Sequence, residues 1–371
     1  MKLPFFFLLL CAGLLAQDQN VTNDSNGAGD AKGTNSTHGA VPVKDSRFIV
    51  EDEHFESDAS KVTERLAKEG KLVSYTELAK SAPKHHEATP ISSTEDHALA
   101  PTELAERLRH STVAMGLRYQ DSNSKKWRFM IGATAFAVAP EILSTSLHVM
   151  TIDPTLMHEA QAVAVTEDGK VLPVTEIIAS SDRADTCLIK VPGLTLPSLP
   201  LRGGVRPGEP IWCMSHPDGF AYMFTGGQVA RISRDRYDEK HQPALHVEVT
   251  AEYCPGSSGG AVTDAAGNVV AQVASINNYD GFTSKDGKSV NGIVSARTCT
   301  AAEELLALTK SGENEPVPVP TPVPKQKRHS PKPKASSTAS PAASPEAKGR
   351  QGRGDSKSSD LSPCPQGGRA A

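Results

Sequence analysis

Between Thr112 and Ala296 the chain is a succession of short β-rich runs separated by turns, and that pattern limits what it can fold into. The runs are Thr112–Arg118, Trp127–Val138, Ile142–Ser146, Ala160–Val165, Val171–Ala179, Cys187–Val191, Ile211–Ser215, Tyr222–Ile232, Leu245–Thr250, Ala261–Val262, Val269–Ser275 and Gly292–Ala296. Their β-branched and aromatic residues suit a pleated, half-buried surface, and Gly, Pro, Asn and Asp punctuate them. Glu167-Asp168-Gly169-Lys170 and Asp264-Ala265-Ala266-Gly267 are hairpin turns. About a dozen short strands with no long helix between them mean an all-β barrel or sandwich. Leu104 and Leu108 mark a short helix ahead of the strands. Thr300-Ala301-Ala302-Glu303 reads as a capping box opening a last helix, with Leu305, Leu306 and Leu308 to dock it. The folded region is therefore placed at residues 101–310.

The flanks cannot supply a core, and they lower the hydrophobic content of the whole chain to 38% and its aromatic content to 5%. Residues 1–16 read as an export signal, with Lys2, an apolar run from Leu3 to Leu15, and Ala16. The run is too short for a membrane span. Cys11 raises lipid anchoring as an alternative, without the small residue that usually precedes a lipidated cysteine. Residues 17–45 are polar and read as a disordered linker. Residues 46–100 read as a partly helical, loosely packed arm, with helical spacing through Val62 and Leu66 broken at Gly70. His85 and His86 are adjacent and cannot share a helical face as a metal pair would. Residues 311–371 read as a disordered, Pro-rich tail; from Pro324 it holds ten Lys/Arg against three Asp/Glu. A solubilising tether is the expectation there, and binding of anionic polymers the alternative. Export implies an oxidising compartment. Cys187, Cys213, Cys254 and Cys299 allow three pairings or four reduced, buried thiols, which the sequence leaves open, and Cys364 is the odd one out.

The chemistry centres on Glu252-Tyr253-Cys254-Pro255-Gly256-Ser257-Ser258-Gly259-Gly260-Ala261-Val262. Glycines on both sides let Ser258 stand at a sharp bend. A serine hydroxyl is a weak nucleophile until a base and an orienting carboxylate activate it. His148, at the end of the Ile142–Ser146 run, and Asp185, just before the Cys187–Val191 run, supply these in the order His, Asp, Ser.

These contexts resemble the trypsin/chymotrypsin-like serine proteases, and within them the protease domain of the bacterial HtrA (Deg) family. The likeness covers roughly residues 104–308. It rests on Gly132-Ala133-Thr134-Ala135-Phe136, Leu143-Ser144-Thr145-Ser146-Leu147-His148-Val149, Asp185-Thr186-Cys187-Leu188-Ile189-Lys190-Val191, Ser215-His216-Pro217-Asp218-Gly219 and Cys254 to Val262. The resemblance implies two six-stranded antiparallel β-barrels of chymotrypsin-like type with short flanking helices. It implies a serine endopeptidase acting through an acyl-enzyme, with His148 as general base, Asp185 as its orienter and Ser258 as nucleophile. The oxyanion hole falls on the backbone of Gly256, Ser257 and Ser258, with the N–H groups of Gly256 and Ser258 as donors. Substrate contact falls on Glu252, Tyr253, Val273, Ala274 and Ser275. No metal and no cofactor is implied. The partners are polypeptide substrates, with no nucleic acid, and the resemblance allows a homo-trimer.

There are departures. Ser257 stands where chymotrypsin-type zymogens carry an Asp, so activation by a new N-terminal amine is not expected, and loop rearrangement takes its place. Leu147 is bulkier than usual before the histidine and threatens to crowd the ring. Ala135 replaces a glycine. The residues after Leu308 are too polar and proline-rich for the PDZ domain that usually follows. Small apolar walls favour an aliphatic side chain at the cleavage site; Glu252, were it to enter the pocket, would favour Lys or Arg. The alternative function is a weakly active or inactive protease-fold scaffold.

Overall fold

The computed structural model describes residues 48–153, 155–234, 243–278 and 295–318. The export signal, the 17–45 linker and the tail beyond residue 318 lie outside them. The helices are α1 (Asp52–Lys68), α2 (Tyr75–Ser81), α3 (Pro101–Ser111) and α4 (Ala302–Leu308). The strands are β1 (His85–His86), β2 (Thr112–Asp121), β3 (Trp127–Ala139), β4 (Ile142–Thr145), β5 (Met157–Val165), β6 (Val171–Pro173), β7 (Glu176–Ser181) and β8 (Thr186–Lys190). They continue with β9 (Pro210–Ser215), β10 (Met223–Arg234), β11 (Leu245–Val249), β12 (Ala261–Thr263), β13 (Val269–Asn278), β14 (Ser295–Ala301) and β15 (Gly312–Glu313).

The strands form two antiparallel halves, one of them a closed barrel. The second half is a closed six-stranded barrel in the order β10-β11-β14-β13-β12-β9. The first is a seven-stranded half-barrel sheet in the order β6-β5-β2-β3-β4-β8-β7. Val113, Met115, Leu143, Ile177 and Ile189 fill the first half; Ile211, Val229, Val247, Val262 and Val270 fill the second. A third cluster, with Phe136 and Leu188 from one half and Met214 and Val269 from the other, joins them, and Leu104, Leu108 and Leu305 seat α3 and α4 on it. The joint also carries polar pins. Buried Gln272 of β13 accepts from Ser144 Oγ at 2.6 Å and donates to Thr186 Oγ1 at 3.2 Å.

Three expectations are corrected by packing. Thr300 is no helix cap: it lies in β14 opposite His246, and its hydroxyl donates to Ala184 O at 2.7 Å. Helix α4 starts beyond it, from Ala301, with no side-chain cap. The arm is not loosely packed. A Ser74–Glu77 capping box opens α2, and Tyr75 and Leu78 are fully buried; burial of a leucine alone contributes about 1.5–3 kcal/mol. The body also extends past residue 310. β15 pairs with β1, Ser180 Oγ donates to Glu315 O at 2.8 Å, and Val317 is buried in the first-half core. Cys187, Cys213, Cys254 and Cys299 are free thiols. Burial pushes the Cys213 thiol up to about 12.

Candidate active site

His148 sits in a single 3-10 turn, Leu147–Met150, at the end of β4. Leu147 is buried in the first-half core, where its bulk is taken up. Asp185 ends the β7–β8 turn with φ 49, a left-handed conformation that a short Asp tolerates. From there its carboxylate holds His148 twice: Oδ2 is 2.7 Å from Nδ1, and Oδ1 accepts the His148 backbone N–H at 2.8 Å. The double contact fixes both the ring and the turn that carries it. Burial works to lower the imidazole pKa, and the charge of Asp185 with its hydrogen bond outweighs it, so the net shift is upward.

The Ser258 loop is built against the first half. Ser258 O accepts from Thr134 N at 2.9 Å, and Gly259 N donates to Val273 O at 2.8 Å. Ser146 Oγ donates to the same Val273 carbonyl at 2.9 Å, so one atom of β13 anchors both the serine loop and the segment entering His148. Gly259 has φ +85 and lies directly on Thr134 and Thr145. Ser258 is half-buried, and its hydroxyl makes no hydrogen bond among the described residues, so none joins it to His148.

The three oxyanion positions divide. Ser257 N–H donates to Cys254 O at 3.0 Å inside the turn, and is not a donor. Its side chain is fully buried and accepts from Ser215 Oγ at 3.0 Å. The N–H groups of Gly256 and Ser258 have no backbone partner among the described residues. Thr134 Oγ1 donates to Gly256 O at 3.0 Å and accepts from His216 N at 3.0 Å. Burial lowers the His216 imidazole to about 3, so it is neutral. Thr134 and His216 lay within stretches singled out in the sequence, but nothing local marked them as supports of the Gly256 peptide.

Among the expected substrate positions, Tyr253 and Val273 belong to the second-barrel core. Tyr253 Oη lies 3.0 Å from Ser275 O and 3.2 Å from Thr298 O. Ala274 is buried and Ser275 half-buried, beside a β-bulge between Val273 and Ser275. The Glu252 side chain is 76% exposed and paired with Arg297 Nη2 at 2.6 Å. Arg297, which sequence reading did not single out, reaches it from β14 across 45 residues.

The family model described as trypsin-like peptidase domain matches residues 133–271, a stretch that contains His148, Asp185 and Ser258. A probable periplasmic serine endoprotease, DegP-like, from Pseudomonas fluorescens is 32% identical over 97 residues, 26% of this chain and 20% of the relative. Its counterpart from Ectopseudomonas mendocina is 27% identical over 131 residues, 35% of this chain and 27% of the relative. The matched part is thus a fifth to about a quarter of these relatives. Among solved structures, the HtrA-type protease AlgW with decapeptide aligns with a TM-score of 0.44 at 18% identity, covering 57% of this chain and 66% of that one. The active form of the Rv3671c protease from M. tuberculosis aligns with a TM-score of 0.44 at 20% identity, covering 62% and 94%.

Proposed function

We propose that the chain, whose residues 133–271 match the model of a trypsin-like peptidase domain, is an exported serine endopeptidase acting through an acyl-enzyme. The observation that carries it is the grip of Asp185 on both Nδ1 and the backbone N–H of His148. It sets the imidazole with Nε2 free to take the Ser258 proton and return it to the leaving amine. Gly256 and Ser258 N–H groups receive the oxyanion. Polypeptides are the substrates, with protein quality control as the proposed setting; the relatives described as periplasmic serine endoproteases support the exported peptidase. No helix among the described residues is long and apolar enough to cross a membrane.

A fluorophosphonate probe tests this. Labelling at Ser258, lost in Ser258→Ala and in His148→Ala, is the expected result; an unlabelled wild-type chain would favour the scaffold alternative. That alternative draws on the unbonded Ser258 hydroxyl, although hydrogen bonds of this kind are often long until substrate tightens them.

The working form of His148 is the neutral base. Because its pKa is raised above the ordinary 6.5, the protonated, inactive form persists to higher pH. Activity should rise with pH through a midpoint above 6.5. In Asp185→Asn the burial effect remains and the raising effect goes, so the midpoint should fall. The same change should lower kcat by about 10⁴-fold through loss of the correct tautomer. A pH profile of kcat/KM with the same midpoint in both proteins would contradict the assignment of Asp185.

Glu252 bears on specificity through its partner. With Arg297 beside it, its charge is balanced, and an aliphatic residue is the favoured one at the cleavage site. Arg297→Ala leaves Glu252 unbalanced. Cleavage after Lys or Arg should then rise about 1.5- to fivefold relative to cleavage after aliphatic residues, the scale of an exposed ion pair. A peptide library with an unchanged profile would remove Glu252 from the substrate site.

A further inference from the structure

The Gly256 peptide is held from behind by the segment His216 to Tyr222. Asp218 N donates to Pro255 O at 2.7 Å. In a trans peptide the carbonyl and the next N–H point opposite ways, so this bond keeps Gly256 N–H turned away from the segment. The approach is close: a Cβ on Gly256 would stand 2.5 Å from His216 O and 2.8 Å from Asp218 N. The segment itself is strained at Tyr222, a bulky residue in left-handed backbone at φ 58, while Asp218 takes the left-handed turn at φ 49 that a short Asp tolerates. A conformation like that of Tyr222 costs free energy and persists only where neighbours enforce it.

The neighbours that enforce it belong to the N-terminal arm. Asp52, in the first turn of α1, accepts the Ala221 N–H at 2.9 Å across 169 residues of chain. Phe55 meets the Tyr222 ring edge-on at 6.0 Å, and Phe48 does so at 5.7 Å. Tyr222 in turn packs edge-on against His216 at 4.7 Å. Phe48 also lies under the Arg109 guanidinium at 4.0 Å. The remainder of α1 is seated elsewhere: Ala59, Val62 and Leu66 pack with Ile131, Val163 and Val171. The contact with the segment can therefore be broken without unseating the helix. The usual route to the same end is closed, because the residue before the serine is Ser257 and its hydroxyl is already bonded to Ser215.

We propose that the arm is an intramolecular activator, with Asp52 as a positioning residue: it clamps the 217–222 segment, and the clamped segment keeps the Gly256 N–H presented to the oxyanion. Displacing or trimming the arm relaxes the segment and removes that donor. The proposal rests on the serine endopeptidase reading for its catalytic consequence.

The test compares the full chain with Asp52→Ala and Asp52→Asn, the second keeping an acceptor oxygen in place. Losing one oxyanion donor costs about 10²–10³-fold in kcat, and partial loss through a relaxed segment should give about 10–100-fold in Asp52→Ala, with KM within about twofold. Asp52→Asn should recover most of the rate. Amide hydrogen exchange in residues 217–222 should quicken in Asp52→Ala and return in Asp52→Asn, with the melting temperature near wild type in both. An unchanged kcat in Asp52→Ala, equal damage in both variants, or unchanged exchange would overturn the proposal. Exchange needs no turnover, so the two failures separate. A wild-type chain inert to the fluorophosphonate probe sinks the endopeptidase reading, and the exchange comparison still decides whether the arm holds the segment.

Discussion

In Ser258→Ala, hydrolysis of a peptide amide should fall by about 10⁵–10⁶-fold in kcat while KM and the melting temperature stay near wild type. The separation of rate from stability follows from how the serine is held. Its backbone ties the loop to β3 through Thr134 N, and alanine keeps that bond. Its hydroxyl, half-buried and without a hydrogen bond among the described residues, contributes nothing to the fold that alanine would lose. A residue of about 10³-fold over the uncatalysed rate should survive from the Gly256 and Ser258 N–H groups alone. Progress curves on purified, active-site-titrated protein measure this. A variant keeping more than about a tenth of wild-type kcat would take Ser258 out of the mechanism.

Gly259→Ala should have the opposite signature, a loss of folding rather than of chemistry. The new Cβ would stand 2.2 Å from Thr134 O, 2.3 Å from Thr145 Oγ1 and 3.0 Å from Thr145 Cα, at φ +85. Two of these three are backbone atoms of central strands, which cannot yield as a flexible side chain would. The cost should reach about 4 kcal/mol or more, the range of severe core changes. For a body of this size that lowers the melting temperature by roughly 8–16 °C. Gly208→Ala is the control, since Gly208 has φ +90 with nothing within 4 Å of the added carbon. It carries the left-handed strain alone, about 1–2 kcal/mol. Equal melting temperatures for the two variants would show that the clash at Gly259 is relieved by movement.

What the sequence disclosed and what it hid divide along chain distance. Alternating β-branched runs, the Gly169 and Gly267 turns and the ordered His148, Asp185 and Ser258 contexts are local patterns, so strands and site were legible from neighbours in sequence. The balance of Glu252 by Arg297, the Thr300 hydroxyl on Ala184 and the Asp52 bond to Ala221 are made across 45, 116 and 169 residues. No periodicity encodes such pairs. Thr300-Ala301-Ala302-Glu303 spelled a cap because a local pattern was read at a position where a partner strand, β11, takes the backbone. The burial of Tyr253 and Val273 was hidden for a related reason: both types suit a pocket lining and a barrel core equally, and only the packing of the second barrel places them in its core. Val317 was hidden by composition: a valine between prolines looks solvated until the first-half core is seen to have room for it.

The docked segment after α4 has a bearing on the order in which the body can be completed during synthesis. Asn314 Nδ2 donates to Pro83 O across 231 residues, and β15 closes on β1 beside it. Contacts so distant along the chain are slow to form and come late. Because synthesis runs from the N-terminus, β1 must wait, unpaired, until residue 313 has left the ribosome. The β1–β15 sheet is thus closed only after the two barrel halves and α4 have been made.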